Sequence, residues 1–237
     1  MIDTIRRFRM RRLLRRLQRR SHLDDEEFER LHPRGKGGKF SDKNSEPSGI
    51  VGSDEKDKEY LSAVHSGNKS EIKRLFNKVA ESSMRDSRIR DDTGKLIPLY
   101  HGTGKNFTEF KRGNLIGWLG KGIYFAGNRS YAKENGRKVI SVYLDSKKPF
   151  IVNGNNHYDV LKEVREKFPE ADEYNLSEVL QENGFDSILY KDWDKGLIVS
   201  VFNPEQIKSA DSITYDDNGN VIPLSKRFDP NNNDIRY

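Results

Sequence analysis

Between residue 85 and the C-terminus the strongest apolar runs are short: "LIPLY" at 96–100, "IYFA" at 123–126, "VISVYL" at 139–144, "PFIV" at 149–152, "SILY" at 187–190 and "LIVSVF" at 197–202. Each is closed within two residues by Gly, Asp or Asn. Runs of this length, rich in β-branched and aromatic residues, fit strands, whereas a helix needs an apolar stripe sustained over roughly ten residues or more. The stretch "RIRDDTGKLIPLYHG" reads as strand, Asp-Asp-Thr-Gly turn and strand. In "VISVYLDSKKPFIV", Val139, Ser141 and Tyr143 alternate with Ile140, Val142 and Leu144. "LIVSVF" is closed by Asn203-Pro204, where the missing amide ends strand pairing. Helical spacing interrupts the strands at 158–183, in two pieces parted near Pro169. Strands with inserted helices make residues 85–237 an α+β domain.

The chain before this domain has a different character. Residues 57–84 read as a helix pair broken at Ser66-Gly67-Asn68, with Ser70 placed to cap the second helix. Ile72, Leu75, Phe76 and Val79 give that helix one buried stripe. Residues 32–56 carry Gly, Ser, Pro and charge with almost nothing to bury, the composition of a flexible linker. Residues 1–31 read as a basic helical arm. Its first twenty residues hold nine arginines and one aspartate, a local charge of +8 in a chain of net +6, so the remainder carries −2. The basicity belongs to the arm and not to a domain surface. Two readings of the arm stand side by side: a grip on nucleic acid or another anionic surface, or a solvated helix that packs on a partner chain such as a virion protein.

Composition excludes several chemistries. There is no cysteine, hence no disulfide, thiolate nucleophile or Cys-ligated zinc. The five histidines are scattered without metal-ligand spacing, and no metal site is expected. No apolar run approaches the length of a membrane span. One internal echo occurs, "DDTGKLIPL" at 91–99 against "DDNGNVIPL" at 216–224, identical in six of nine positions and read as two similar hairpins. In the tail "SKRFDPNNNDIRY", Phe228 and Ile235 are the residues able to dock.

The chemistry-bearing residues fall in one order. His101-Gly102-Thr103 ends a strand, the Gly-rich stretch "RGNLIGWLGKG" follows at 112–122, and Tyr124 sits in "KGIYFA". A late strand, "LIVSVFNPEQIKS", closes the pattern. Through "LYHGT", "GKGIYFA", "VYLDSKKPF" and "VFNPEQIKS" the sequence resembles ADP-ribosyltransferases of the diphtheria-toxin and poly(ADP-ribose) polymerase type. Within that group it is most similar to the ADP-ribosyltransferase domains of phage polyvalent and head-morphogenesis proteins, over roughly 57–225. The "HPR…GKF" pattern at 32–40 also resembles tails of phage portal and head-morphogenesis proteins.

The resemblance implies split, mostly antiparallel sheets around a cleft that takes NAD as substrate. It implies that His101 holds an NAD ribose, Gly102 the carboxamide and Tyr124 the nicotinamide face, with imidazole and phenol converging on the pyridinium end. A hydroxyl at Thr103 can add a bond. Tyr131 is the candidate for the second ring-covering tyrosine, or else ordinary helix-face packing. In the poly-forming enzymes a glutamate begins the last conserved strand, and that position falls here on Ile198. An apolar residue there implies mono-ADP-ribosylation or inactivity. Asp192, Asp194 or Glu205 would supply a carboxylate only if the strand register slips, which would turn alternate side chains to the other face. Lys105, Arg112 and Lys121 lie near loops where a pyrophosphate would pass, or are plain surface charges.

The expectation is a mono-ADP-ribosyltransferase acting on a macromolecular acceptor, protein before nucleic acid, in a bacterial host cytoplasm or carried with a virion. A catalytically silent relative that binds within a virion is the competing class. A nuclease is a third, thinly supported by one strand-end histidine.

Overall fold

The computed structural model describes residues 55–113, 117–154 and 156–237. The basic arm and nearly all of the linker expected from sequence lie outside the described residues.

Helix α1 (Glu55–His65) and helix α2 (Lys69–Ser83) form the expected pair, parted by Gly67 at φ 69°. The cap of α2 is Asn68, whose side chain accepts from the Glu71 amide, while the Ser70 hydroxyl donates to Asn68. Asparagine is the better acceptor here because it stands one residue before the helical dihedrals begin. Ile72, Leu75, Phe76 and Ala80 are buried. They pack with Tyr60, Leu96, Leu224 and Phe228 into one apolar cluster.

The two echoing segments fold alike. Asp91 accepts from the amides of Thr93 and Lys95, and Asp216 from those of Asn218 and Asn220. Gly94 and Gly219 take φ near 81° and 80°. Leu96 and Val221 from these hairpins both pack against the helix pair. Arg227 lies behind them, buried, donating to the carbonyls of Ser209 and Asp211 with its guanidinium over Phe76 and Phe228. Burial pushes its pKa down to about 10 against the raising effect of Tyr60 and Asp211.

Seven strands follow in the order β4-β5-β6-β2-β1-β3-β7. They are β1 (Leu99–Thr103), β2 (Ile123–Ala126), β3 (Lys138–Leu144), β4 (Pro149–Val152), β5 (Ser187–Asp192), β6 (Gly196–Val201) and β7 (Ile207–Ser209). Helices α3 (Arg129–Glu134), α4 (His157–Lys167) and α5 (Leu176–Glu182) are inserted between them. All pairings are antiparallel except β4 with β5, whose crossover contains α4 and α5.

The sheet is two half-sheets. Strand β2 pairs with β6 over four residues and β1 with β3 over five, but β1 and β2 share one pair, Tyr100 with Ala126. The run "VISVYLDSKKPFIV" divides accordingly: β3 belongs to one half and β4 is the far edge of the other. The crossing segment is held by Asp186, which accepts from the amides of Lys147 and Lys148.

Alternation along β2 and β6 separates two cores. Ala126 and Ile198 face α4 and α5, in a cluster with Phe150, Val160 and Leu180. Ile123, Phe125, Val199 and Val201 face the other way, with Leu99, Val142, Leu144 and Ile207. Burial on both faces is why these strands read as near-continuous apolar runs. In the tail, Phe228 docks on the helix pair and Ile235 in the second core. Buried Lys208 donates to the Asn232 carbonyl at 2.6 Å, and its pKa falls to about 8 through burial, opposed by nearby carboxylates such as Asp229. No helix among the described residues is long and apolar enough to cross a membrane.

Candidate active site

The seam opens where β1 and β2 stop pairing. Gly127 donates its amide to Leu197 in β6, so peptide groups at odd positions of β2 point to β6 and those of Tyr124 and Ala126 point to β1. Tyr100 opposes Ala126, so the next inward-pointing peptide of β1 is that of Gly102, opposite Tyr124. The ladder does not continue to this pair. The peptide groups of Gly102 and Tyr124 therefore line the seam.

His101 bridges it. Its Nδ1 lies 2.8 Å from the Tyr124 carbonyl. A carbonyl only accepts, so Nδ1 carries the proton and, in the neutral ring, Nε2 is left as an acceptor. The ring sits edge-on to Phe110 at 5.0 Å between centroids and tilts against Phe125 at 5.6 Å. Burial among these rings lowers its pKa, outweighing the raising effect of the Tyr124 carbonyl, so the neutral form is favoured.

Tyr124 points the other way. Its ring packs on the α4 and α5 side with Tyr131, whereas His101 touches Phe110 and Phe125 of the opposite core. The rings expected to converge on the pyridinium end of a dinucleotide lie instead on opposite faces of the sheet. Opposed residues in an antiparallel pair share a face, and the partner of Tyr124 is Gly102, not His101. The two residues meet through a backbone carbonyl.

The Tyr124 hydroxyl clasps the loop before it. It accepts from the Leu119 amide at 2.9 Å and donates to the Gly120 carbonyl at 2.7 Å. Burial pushes its pKa well above the ordinary phenol value, offset in part by the Leu119 amide. Gly117 lies against the same ring, and a Cβ there would stand 2.3 Å from the Tyr124 oxygen. Leu119 anchors the loop in the core while Trp118 is half-exposed.

Gly102 is required by helix α3. A Cβ on it would meet the Ala132 carbonyl oxygen at 1.8 Å, and one on Gly136 would meet the Thr103 amide nitrogen at 2.2 Å. Helix α3 thus presses on the end of β1 and brings Tyr131 to the face shared by Gly102 and Tyr124. The Thr103 hydroxyl accepts from the Lys105 amide at 3.1 Å, bracing the turn that leaves β1.

Ile198 sits between Ala126 and Tyr190 in the strand register and is buried with them. Asp192 opposes Gly196, two residues along on the same face, and its carboxylate accepts from the Tyr190 hydroxyl and the amides of Asp194 and Lys195. Arg112 and Lys121 are tied down as well. Arg112 donates to the Lys121 carbonyl and to Gln181, and Lys121 pairs with Glu178 at 3.1 Å.

Two residues beside Tyr131 were missed in the sequence. The Lys195 ammonium lies 4.6 Å from the centroid of the Trp118 ring and 5.4 Å from that of Tyr131. The signal for Trp118 was a large aromatic inside a Gly-rich loop; a lysine in a turn gives none. A groove of about 470 Å3 along α4, lined by Tyr158, Leu161 and Arg165 among others, contains none of the expected site residues.

A family model described as ADP-ribosyltransferase in polyvalent proteins matches residues 91–216. No curated protein matches. Among solved structures, one titled as the crystal structure of an anti-CRISPR protein is similar at 17% identity, covering 47% of this chain and 91% of that one, with a TM-score of 0.30.

Proposed function

This chain belongs to the ADP-ribosyltransferase family of polyvalent proteins, and from that premise we propose that it transfers a single ADP-ribose from NAD to a macromolecular acceptor and releases nicotinamide. The observation that carries the reading is the opened seam, where the Gly102 peptide and the Tyr124 residue share one row beside His101.

NAD joins a cationic pyridinium to a ribose carbon, and cleavage passes through an oxocarbenium-like state. The electron pair of the breaking bond leaves with nicotinamide, which departs neutral; a lone pair of the acceptor forms the new bond, and its proton passes to solvent. A peptide N–H and C=O pair matches a primary carboxamide in donor and acceptor, which suits Gly102 to hold and orient nicotinamide. The Tyr124 ring, fixed through its hydroxyl, offers an aromatic face for a flat cation. His101 enters with its tautomer set, so Nε2 accepts from a ribose hydroxyl in place of donating to one. Thr103 and Tyr131 border the same end of β1.

Ile198 supplies no carboxylate for a second acceptor ribose, so the reaction stops after one transfer. Loss of such a charge removes an electrostatic contribution of about 2–4 kcal/mol to a transition state. The same residue favours the competing reading, a silent domain that binds without turnover. The setting we assign is a phage-encoded protein acting on a protein acceptor in a bacterial cytoplasm or from a virion.

The test incubates the full chain with bacterial lysate and NAD labelled in its adenylate phosphate, and follows transferred label and free nicotinamide. Wild type releases nicotinamide and labels an acceptor as a single unit, while His101→Ala, checked for folding by circular dichroism, does neither. Equal labelling by a folded His101→Ala variant rejects the assignment, and NAD binding without any nicotinamide release selects the silent reading.

A further inference from the structure

Lys195 stands in the tight turn between β5 and β6, presented by backbone bonds from Asp194 and Lys195 to Asp192 and followed by Gly196 at φ 76°. Its ammonium lies over two aromatic rings at once, Trp118 and Tyr131. These rings come from parts of the chain that the fold brings to one place. Trp118 is at the tip of a loop closed by reciprocal backbone bonds between Gly117 and Gly120, and that loop is clasped by the Tyr124 hydroxyl. The Trp118 ring is further steadied by stacking on His157 at 4.3 Å. Tyr131 is on α3, the helix seated on Gly102. Two aromatic faces around a positive charge form a cation site, tryptophan being the strongest face for the purpose.

We propose that Lys195 is a tethered stand-in for the pyridinium cation: it fills the space between Trp118 and Tyr131 in the substrate-free protein and is displaced when the nicotinamide end of NAD enters. The inference rests on the NAD reading of the seam and adds to it a residue that sets affinity. A lysine ammonium and a pyridinium ring compete for the same π faces. Because Lys195 is tethered, it competes at high effective concentration and weakens the hold on every ring that takes that space. A cationic ring also meets the charge repulsion of the displaced ammonium, so the penalty is larger for cations than for neutral rings. Lys195→Met keeps much of the stem while removing the charge, and Lys195→Arg keeps the charge.

The experiment titrates the full chain, as wild type, Lys195→Met, Lys195→Arg and Lys195→Met with Trp118→Ala, against 1-methylnicotinamide, neutral nicotinamide and NAD, reading calorimetry and tryptophan fluorescence. Lys195→Met should bind 1-methylnicotinamide and NAD about threefold to tenfold more tightly than wild type. Nicotinamide should gain too, but by less than the two cations, Lys195→Arg should resemble wild type, and adding Trp118→Ala should erase the gain. No gain, or a loss, with 1-methylnicotinamide in a folded Lys195→Met variant overturns the proposal, as does a gain for neutral nicotinamide larger than that for the cation. If Lys195→Met gains for 1-methylnicotinamide while neither protein binds NAD, the NAD reading falls and the cation site stands. If both proteins bind NAD with equal affinity, the NAD reading stands and the displacement falls.

Discussion

Replacing Gly102 by alanine asks why a glycine follows the strand-end histidine. Gly102 is not among the residues with positive φ, so conformational freedom is not the reason. Space is. The added Cβ would stand 1.8 Å from the Ala132 carbonyl oxygen, 2.9 Å from its carbon and 3.2 Å from the Asn135 Cβ. A carbon and a carbonyl oxygen rest at roughly 3.3 Å even in a weak C–H contact, so strand and helix must part by about 1.5 Å. Sideways relief is blocked because Gly136 is seated equally close on the Thr103 backbone, where a Cβ would be 2.2 Å from nitrogen. Helix α3 is also pinned at its start by Asn128, which accepts from the amides of Ser130 and Tyr131. Overpacking a fitted core costs about 1–3 kcal/mol, and backbone against backbone belongs at the top of that range. For a chain of this size about 3 kcal/mol lowers the melting temperature by about 6–12 °C. Gly127→Ala is the control: its nearest contact would be the Leu197 Cβ at 3.2 Å, and its cost should stay within about 1 kcal/mol. Thermal unfolding by circular dichroism and urea midpoints read both variants. If Gly102→Ala melts within about 2 °C of wild type, the close approach of α3 to β1 is not what this glycine serves.

Tyr124→Phe keeps the ring but leaves the Leu119 amide unpaired and the Gly120 carbonyl with the Gly117 amide alone, costing about 1–2 kcal/mol; hydrogen exchange at the Leu119 amide should accelerate, and unchanged protection would show that the phenol does not hold the loop. His101 has its pKa lowered by burial, so its contribution to stability is fully present above the ordinary value of 6.5 and is lost as pH falls below it. His101→Gln lacks this term, so the gap in urea midpoint between wild type and variant should narrow from pH about 7.5 to about 5, and a gap that widens would reverse the sign argued here.

The individual strands were legible because each is a short apolar run between turn formers, and "LYHGT", "IYFA" and "GLIVSV" became β1, β2 and β6. The break at Gly67 and the twin hairpins were legible for a similar reason: positive φ and Asp-capped turns are local properties. What lay beyond the sequence depends on distant partners. Alternation in "VISVYLDSKKPFIV" gives no sign that its two ends join different half-sheets, since the crossing is fixed by Asp186, thirty-eight and thirty-nine residues away. Facing relations across the seam needed the register of β1 on β2. Residue type alone made His101 and Tyr124 look like partners, while the register pairs Tyr124 with Gly102. Arg112 and Lys121 looked available to a phosphate until Glu178 and Gln181, from α5, were brought beside them.

The third position is where register decides chemistry. Had β6 slipped by one residue, Ile198 would leave the face of Tyr124 and a neighbour would take its place. No slip occurs, because Ile198 is fixed between Ala126 on one side and Tyr190 on the other. Asp192 is the one acid of the three candidates that shares this face in the strand register, and it is spoken for. Burial would raise its pKa, but the Tyr190 hydroxyl and the amides of Lys195 and Asp194 together hold it below the ordinary aspartate value. Three donors that favour the charged form also occupy its oxygens. A ribose hydroxyl could enlist this carboxylate only by displacing the Tyr190 phenol or opening the turn that presents Lys195. The groups that hold Asp192 ionised are therefore the same ones that withhold it, and on the proposed reading the seam would offer a substrate the Gly102 peptide, the His101 imidazole and aromatic faces, with Asp192 not available to recruit a second sugar.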